Sequence, residues 1–234
     1  MTPILKVSQI EKTFGYRKLL KGVDLDLQAG EFALLLGKNG QGKSTLLKII
    51  TGLMRAEAGL VEFEGKKVAE HPEEFRAAFG VISHAPQLYN ELTAIENLEF
   101  YAKLRKLKNY SEKIRPTLKA VGLEPFAHTK VGVFSSGMFK RLNIARLMIF
   151  EPKLLLLDEP YTGLDYDSIE FFNDYLEDYK EKGGTVLMVT HQIDLCYPLS
   201  DRIFIINQGK SSEVDKHDDH TLDDLLTHYQ NLSA

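Results

Sequence analysis

The chain has little that could cross-link it. One of its 234 residues is a cysteine, Cys196, so no disulfide can close within the chain and a reducing compartment fits. A partly buried small hydrophobe is the ordinary role of such a residue, rather than a reactive thiol. No apolar run approaches the roughly 20 residues that a bilayer-spanning helix needs. The richest stretch, IARLMIFEPKLLLLDEP, is broken by Glu151, Pro152 and Lys153. The opening MTPILKVSQIEKTF lacks the charged-then-apolar layout of a secretory leader. Basic charge is not in excess either: 29 Lys and Arg stand against 33 Asp and Glu, a net charge of -4, which argues against a domain that clamps nucleic acid as a whole. Internal repeats, low-complexity tracts and linkers are missing too. The expectation is one soluble globular unit with a single sizeable core, free to dock on a membrane partner.

What is present is an alternation of strand and helix patterns. Short strands lead to a buried one at Phe32 to Leu36, and Ser44 to Leu53 reads as a helix closed by Gly52. Leu60 to Val81 reads as further strands turning at Glu64–Gly65. From Leu92 to Leu123 the period becomes helical, with Pro116 expected near the start of the second helix. A helix from about Gly137 to Phe150, a strand Leu154 to Leu157, a helix from about Ser168 to Lys182 and strands Thr185 to Thr190 and Ile203 to Asn207 follow. After Lys210 comes a short acidic tail with a last helix at Thr221 to Tyr229. In it, HDDHTLDD reads as a solvated surface run rather than a metal site. The fold class is α/β: a mainly parallel, buried sheet, an N-terminal antiparallel β subdomain and an inserted α-helical subdomain. The organisation is one domain over 1–234. Residues 1–87 and 151–210 form the β subdomain and core, 88–150 the helical subdomain, and 211–234 the tail.

Two motifs carry chemistry. GKNGQGKS, from Gly37 to Ser44, matches G-x-x-x-x-G-K-[ST] between a buried strand and a helix, the setting a phosphate-binding P-loop requires. Gly37, Asn39, Gly40, Gly42, Lys43, Ser44 and Thr45 are therefore nucleotide-binding candidates. Backbone N–H groups wrap phosphate, Lys43 reaches the β- and γ-phosphates, and the Ser44 hydroxyl coordinates Mg²⁺. LLLLDEP then delivers Asp158 to the ligand-binding edge of the sheet as a second Mg²⁺ partner, beside Glu159 to orient and deprotonate an attacking water. Together they read as a Mg²⁺-dependent nucleoside triphosphatase, with ATP and Mg²⁺ as its cofactors.

FSSGMFKRLNIAR ahead of LLLLDEP, TGLD after it and VTH farther on give a resemblance. From about Ile4 to Lys210 the chain resembles the ATP-binding subunits of ABC transporters. In that family the LSGGQ signature reaches the γ-phosphate held by a second copy, so the resemblance implies a head-to-tail dimer. It assigns Ser135 and Gly137 to the partner's phosphate, Asp165 to the partner's P-loop, His191 to the γ-phosphate and attacking water, and Phe14 to stacking on adenine. A buried core position is the other reading of Phe14. Phe134, Ser136 and Met138 depart from LSGGQ. The family's lid glutamine falls in register on His84, which would touch the metal, with Gln87 as the alternative.

Implied partners are integral membrane permease subunits and a second ATPase copy, at the cytoplasmic face of the membrane. No nucleic acid is expected. SHAPQLYNELTAIENLEFYAKL, FSSGM and YTGLD look most like the ATPase subunit of haem exporters of cytochrome c maturation, with other ABC-2-type exporters as the alternative. One domain without zinc modules or heptad inserts argues against ribosomal or repair ATPases, and FSSGM with VTH argues against a small-molecule kinase.

Overall fold

The first three strands already divide between two kinds of sheet in the computed structural model, which describes residues 2–83 and 88–214. β1 (Leu5–Phe14) and β2 (Arg17–Leu27) pair antiparallel, and buried positions are interspersed with exposed ones along both, as where one face meets water. β3 (Phe32–Leu36) leaves that pair: FALLL is buried along its whole length, so both of its faces are covered. β4 (Ala58–Phe63) and the short β5 (Lys66–Lys67) return to the first sheet, giving the order β2-β1-β4-β5.

The second sheet runs β10-β9-β3-β8-β7-β6, with β6 (Phe79–Ile82), β7 (Leu154–Asp158), β8 (Thr185–Val189), β9 (Arg202–Asn207) and β10 (Lys210–Val214). All of its pairings are parallel except that of β10 on β9. Leu154 to Leu157 are fully buried. At about 1.5–3 kcal/mol for each buried leucine, that tetrad alone contributes roughly 6–12 kcal/mol of gross burial free energy, an upper bound because unfolded chains are partly collapsed. A parallel sheet collects the C-terminal ends of its strands along one edge, where ligands bind. The loops after β3, β7 and β8 all open there.

Helices cover both faces. α1 (Lys43–Ile50) packs Leu46, Leu47 and Ile50 between the two sheets, against Leu156 and Leu187. α2 (Pro72–Ala78) places Phe75 against Phe63. α3 (Ala94–Leu104) starts on a capping box: the Thr93 hydroxyl accepts from Glu96 N–H at 3.3 Å and Glu96 accepts from Thr93 N–H at 2.8 Å. α3, α4 (Tyr110–Ala120) and α5 (Ser136–Phe150) share a core of their own through Leu98, Leu118, Leu142 and Ile149. Ile144 and Leu147 of α5 instead face the sheet, beside Phe172 and Leu176 of α6 (Tyr166–Glu181). α5 is buried on several sides because it serves two cores.

Two guanidiniums tie the helical subdomain to the sheet. Arg146 donates to the Val81 carbonyl at 2.7 Å and lies over Tyr101, while Arg105 donates to the Ala77 and Phe79 carbonyls at 2.6 and 3.0 Å and lies over Phe150. Burial lowers both, Arg146 to about 10.

Three expectations are corrected. The span Leu60 to Val81 is not all strand, because Pro72 at the first helical turn with Glu73 and Glu74 behind it starts α2. Pro116 lies inside α4 rather than near its start; the helix buries Ile114, Thr117 and Leu118 on one face, and the Thr117 hydroxyl bonds the Lys113 carbonyl at 2.8 Å. Lys210–Val214 is a strand, not a tail, since the edge of β9 offers it a ladder. The expected helix at Thr221 to Tyr229 and the HDDHTLDD run lie outside the described residues.

Tyr179 Oη donates to the Pro152 carbonyl at 2.7 Å. Burial raises its phenol, and those of Tyr161 and Tyr175, above the ordinary 10.0. A folded-state value above the unfolded one gives stability that is full below about pH 10 and is lost as pH rises further. Thermal denaturation across pH 8 to 11 should show stability falling from about pH 10. Tyr179→Phe should cost about 1 kcal/mol at neutral pH and make that fall shallower.

Candidate functional site

Leaving β3, the chain cannot continue as a strand and wraps into a loop that needs glycine. At Gly42 φ is +105°, and a Cβ there would stand 2.5 Å from Leu20 Cδ2, so both conformation and space exclude a side chain. Gly42 caps α1 with no side-chain hydrogen bond, and the first turn carries no acid, so the N–H groups stay open to an anion. Lys43 folds back over the loop, donating to the Gly37 and Lys38 carbonyls at 2.5 and 3.1 Å. Burial lowers its ammonium from the usual lysine value, while Glu159 and Asp158 pull it up again.

Asn39, Gly40, Gly42, Lys43, Ser44 and Thr45 line one cavity of about 190 Å³ with Asp158 and Glu159, and Gly37 backs it through its bond to Lys43. Asp158 ends β7 and is buried, and its Oδ1 has no hydrogen-bond partner among the described residues. An orphaned carboxylate oxygen in a cavity that Ser44 also lines fits a hard cation such as Mg²⁺. Glu159 takes a left-handed φ of 51°, a strain of order 1–3 kcal/mol, and is held there by its N–H bond to the Val189 carbonyl at 2.8 Å. Its Oε2 accepts from His191 N–H at 3.2 Å, and His191 Nε2 lies 3.5 Å from Glu159 Oε1 and 2.8 Å from Asn39 Oδ1. Three loops from three strands thus meet at one imidazole.

A second constellation forms around the start of α5. The Ser135 hydroxyl accepts from Met138 N–H at 3.2 Å, and Asp165 caps α6 by accepting from Ser168 N–H at 2.9 Å. Arg141 joins them: Nε donates to Ser168 Oγ at 2.8 Å and Nη2 lies 3.4 Å from Asp165 Oδ1. A Cβ on Gly137 would stand 3.7 Å from Asp165 Oδ2. The Ser168 hydrogen bonds, helped by Arg141, hold the Asp165 carboxyl below the usual range. Ser135 and Asp165 are exposed, and among the described residues neither they nor Gly137 line the P-loop cavity. Phe14 ends β1 with 48% of its surface exposed and Lys12 Nζ 5.8 Å above its ring, which rules out the core reading. His84 and Gln87 lie outside the described residues.

The sequence reading missed three participants. Leu19 lines the P-loop cavity, Arg17 donates to the Gly40 carbonyl at 3.1 Å, and Arg141 braces Asp165. The only available signal was the Lys-Arg pair one residue beyond FSSGM, one helical turn from Gly137.

The family model described as ABC transporter matches residues 20–162. The chain belongs to the ABC transporter family, as an ATP-binding domain. It is 38% identical over 209 residues to the uncharacterized ABC transporter ATP-binding protein YdbJ of Bacillus subtilis (strain 168), covering 89% of this chain and 68% of that one. It is 35% identical over 207 residues to the lantibiotic transport ATP-binding protein SrtF of Streptococcus pyogenes, covering 88% of each. A solved ATP-binding subunit of an ABC transporter superposes with a TM-score of 0.90 at 29% identity, over 97% of this chain and 99% of that one. Among the described residues no helix is long and apolar enough to cross a membrane.

Lys43→Ala removes the cation that the cavity presents to phosphate. Binding of a fluorescent ATP analogue should weaken at least about tenfold, a loss of roughly 1.4 kcal/mol or more, with little change in melting temperature because the ammonium's hydrogen bonds among the described residues are to loop carbonyls.

Proposed function

We propose that the chain is the ATP-hydrolysing motor subunit of an export-type ABC transporter and works as a head-to-tail dimer on a separate membrane subunit. The observation that carries this reading is the separation of the two constellations. One cavity gathers the P-loop with Asp158 and Glu159. The exposed start of α5, with Ser135 and Gly137 beside the Asp165 carboxylate, carries a helix N-terminus that lies outside that cavity. A second copy related by a two-fold axis supplies each with the other.

In this reading Phe14 stacks on adenine, and backbone N–H groups from Gly37 to Thr45 wrap the phosphates. Lys43 swings from the Gly37 carbonyl to the β- and γ-phosphates. Ser44 and Asp158 hold Mg²⁺, with His84 or alternatively Gln87 as lid contact. The ion supplies charge neutralisation at the phosphate oxygens. Glu159 accepts a proton from the attacking water, and His191, held by Asn39 and Glu159, keeps that water in line. Ser135 and Gly137 N–H groups meet the partner copy's γ-phosphate from a helix N-terminus.

The helical subdomain offers a docking place for a cytoplasmic helix of a permease. Tyr89, Phe100 and Leu104 are exposed there, with the first two rings packed at 4.8 Å. In this reading the subunit works at the cytoplasmic face of a membrane. One domain, divided as the sequence suggests at residues 88–150, accommodates these roles. For the cargo, the resemblance of residues 83–104, FSSGM and YTGLD supports haem. The similarity to SrtF, over 88% of each chain, supports the second reading, another exported cargo of the ABC-2 kind.

Glu159→Gln should bind ATP with near-native affinity while hydrolysis falls by about 10²-fold or more. Phosphate release beside nucleotide binding checks this, and retained hydrolysis would remove Glu159 from the base role. The same variant, captured with ATP from detergent-solubilised membranes, should bring down small multi-helix membrane subunits. Ribosomes or nucleic acid without a membrane protein would overturn the transport reading.

A further inference from the structure

Glu159 and His191 stand on different loops, and something must fix the distance between those loops. Contacts at the strand ends do part of this, through Glu159 N–H to the Val189 carbonyl and His191 N–H to Glu159 Oε2. Beyond them each loop runs outward: Glu159 into Pro160, Tyr161 and the turn closed by Leu164 N–H on the Tyr161 carbonyl, and His191 into the single helical turn Ile193–Leu195. One side chain reaches both. Tyr161, 1% exposed, donates its hydroxyl to Asn173 Oδ1 at 2.6 Å, and Asn173 Nδ2 donates to the Leu195 carbonyl at 2.9 Å.

The chemistry of that bridge is demanding. An amide carries an acceptor and a donor on one rigid plane, so Asn173 satisfies a phenol from one loop and a carbonyl from the other at once. An aspartate of the same length could do both only when protonated. Phe172, its neighbour on α6, packs edge-on against the Tyr161 ring at 5.8 Å and closes the phenol off from water. The loop after His191 has further ties inward: Gln192 N–H bonds Thr190 Oγ1 at 3.0 Å, and Cys196 Sγ lies 3.5 Å from the Ile193 carbonyl. Both loops are therefore stiff, and Asn173 joins two stiff pieces rather than ordering loose ones. A small displacement at the bridge is then passed to both ends.

We propose that Asn173 is a positioning residue for hydrolysis, which with the Tyr161 hydroxyl holds the Glu159 loop and the His191 loop at the separation that aligns base and imidazole on one water. The inference rests on the reading of Glu159 and His191 as the hydrolytic pair. Asn173 touches neither nucleotide nor reacting atoms, so its loss changes turnover and not binding. A 1 Å misplacement of catalytic groups costs up to about 10²-fold, which bounds the effect.

The test compares purified full-length wild type with Tyr161→Phe, Asn173→Leu and Asn173→Asp, reading kcat and KM for ATP and the melting temperature. Tyr161→Phe keeps the buried ring and loses one hydrogen bond; it should lower kcat about three- to tenfold with KM for ATP within twofold. Asn173→Leu should lower kcat further. Asn173→Asp when ionised can accept from Tyr161 but cannot donate to the Leu195 carbonyl; when protonated it regains a donor. Its kcat relative to wild type should therefore rise as pH falls from 8 to 6, a recovery that a fixed packing defect would not show. Folded Tyr161→Phe and Asn173→Asp proteins with wild-type kcat at every pH would overturn the inference. Equal losses in kcat and in ATP affinity, tracking a lower melting temperature, would overturn it as well. Glu159→Gln assayed alongside separates the two levels: if it retains hydrolysis, the hydrolytic pair itself is wrong, whereas if it is inactive and the Asn173 variants are normal, only the bridge is.

Discussion

Burial of a parallel sheet on both faces is the constraint from which the rest of this structure follows. FALLL, LLLLD and TVLMV cannot face water on either side, so helices and a second sheet must cover them. Five of the strands run the same way, so their C-terminal ends share an edge. The P-loop, Asp158 with Glu159, and His191 each follow one of those ends, and none has to be carried far by an irregular segment. The site is thereby built on the stiffest part of the chain. It can support a strained Glu159 and a lysine lying over backbone carbonyls, costs that a mobile loop would relax away.

The second constellation has a different foundation. Ser135 caps α5 and Gly137 lies in its first turn, a helix shared between the helical core and the sheet, while Asp165 caps α6. Arg141 couples the two starts. Arg105 and Arg146 fasten the same helical block to β6, immediately before residues 84–87. Any movement of that block relative to the sheet must therefore work against guanidinium–carbonyl bonds at one end and the Arg141 brace at the other. That arrangement suits a unit that turns as a body, with the exposed N-terminal end of α5 carried along.

Much of this was legible in the residues. Lys43, Ser44, Asp158 and Glu159 sit in patterns whose spacing is itself the geometry: a glycine loop between strand and helix, and carboxylates at the end of a leucine run. The helix starting just after FSS was legible as well, and Ser135 caps it, whereas the capping of α6 by Asp165 emerges only from the structure. What was not legible depends on partners distant in sequence. Lys210–Val214 is polar, and its strand character comes from the edge of β9. Pro116 breaks a helix by local rules, but one apolar face of α4 outweighs them. Pro72–Ala78 is too short to show a period, and Phe75 alone marks its buried side. Phe14 carried an adenine-stacking reading with a core position as its alternative, and its exposure removes the second. Asn173 resembles any other polar residue on α6 until Tyr161 and Leu195 are seen on either side of it.

The central claim is that the groups meeting one triphosphate come from two copies of the chain. Lys38 and Ser135 are both exposed, and the native thiol of Cys196 is buried, so engineered cysteines can report on it without interference. Lys38→Cys and Ser135→Cys, each in the Glu159→Gln background, would be mixed with ATP and Mg²⁺ under mild oxidation and run on a non-reducing gel. The account predicts a covalent dimer between the two variants that forms only with ATP. No cross-link, or dimers of like with like that ignore nucleotide, would contradict it.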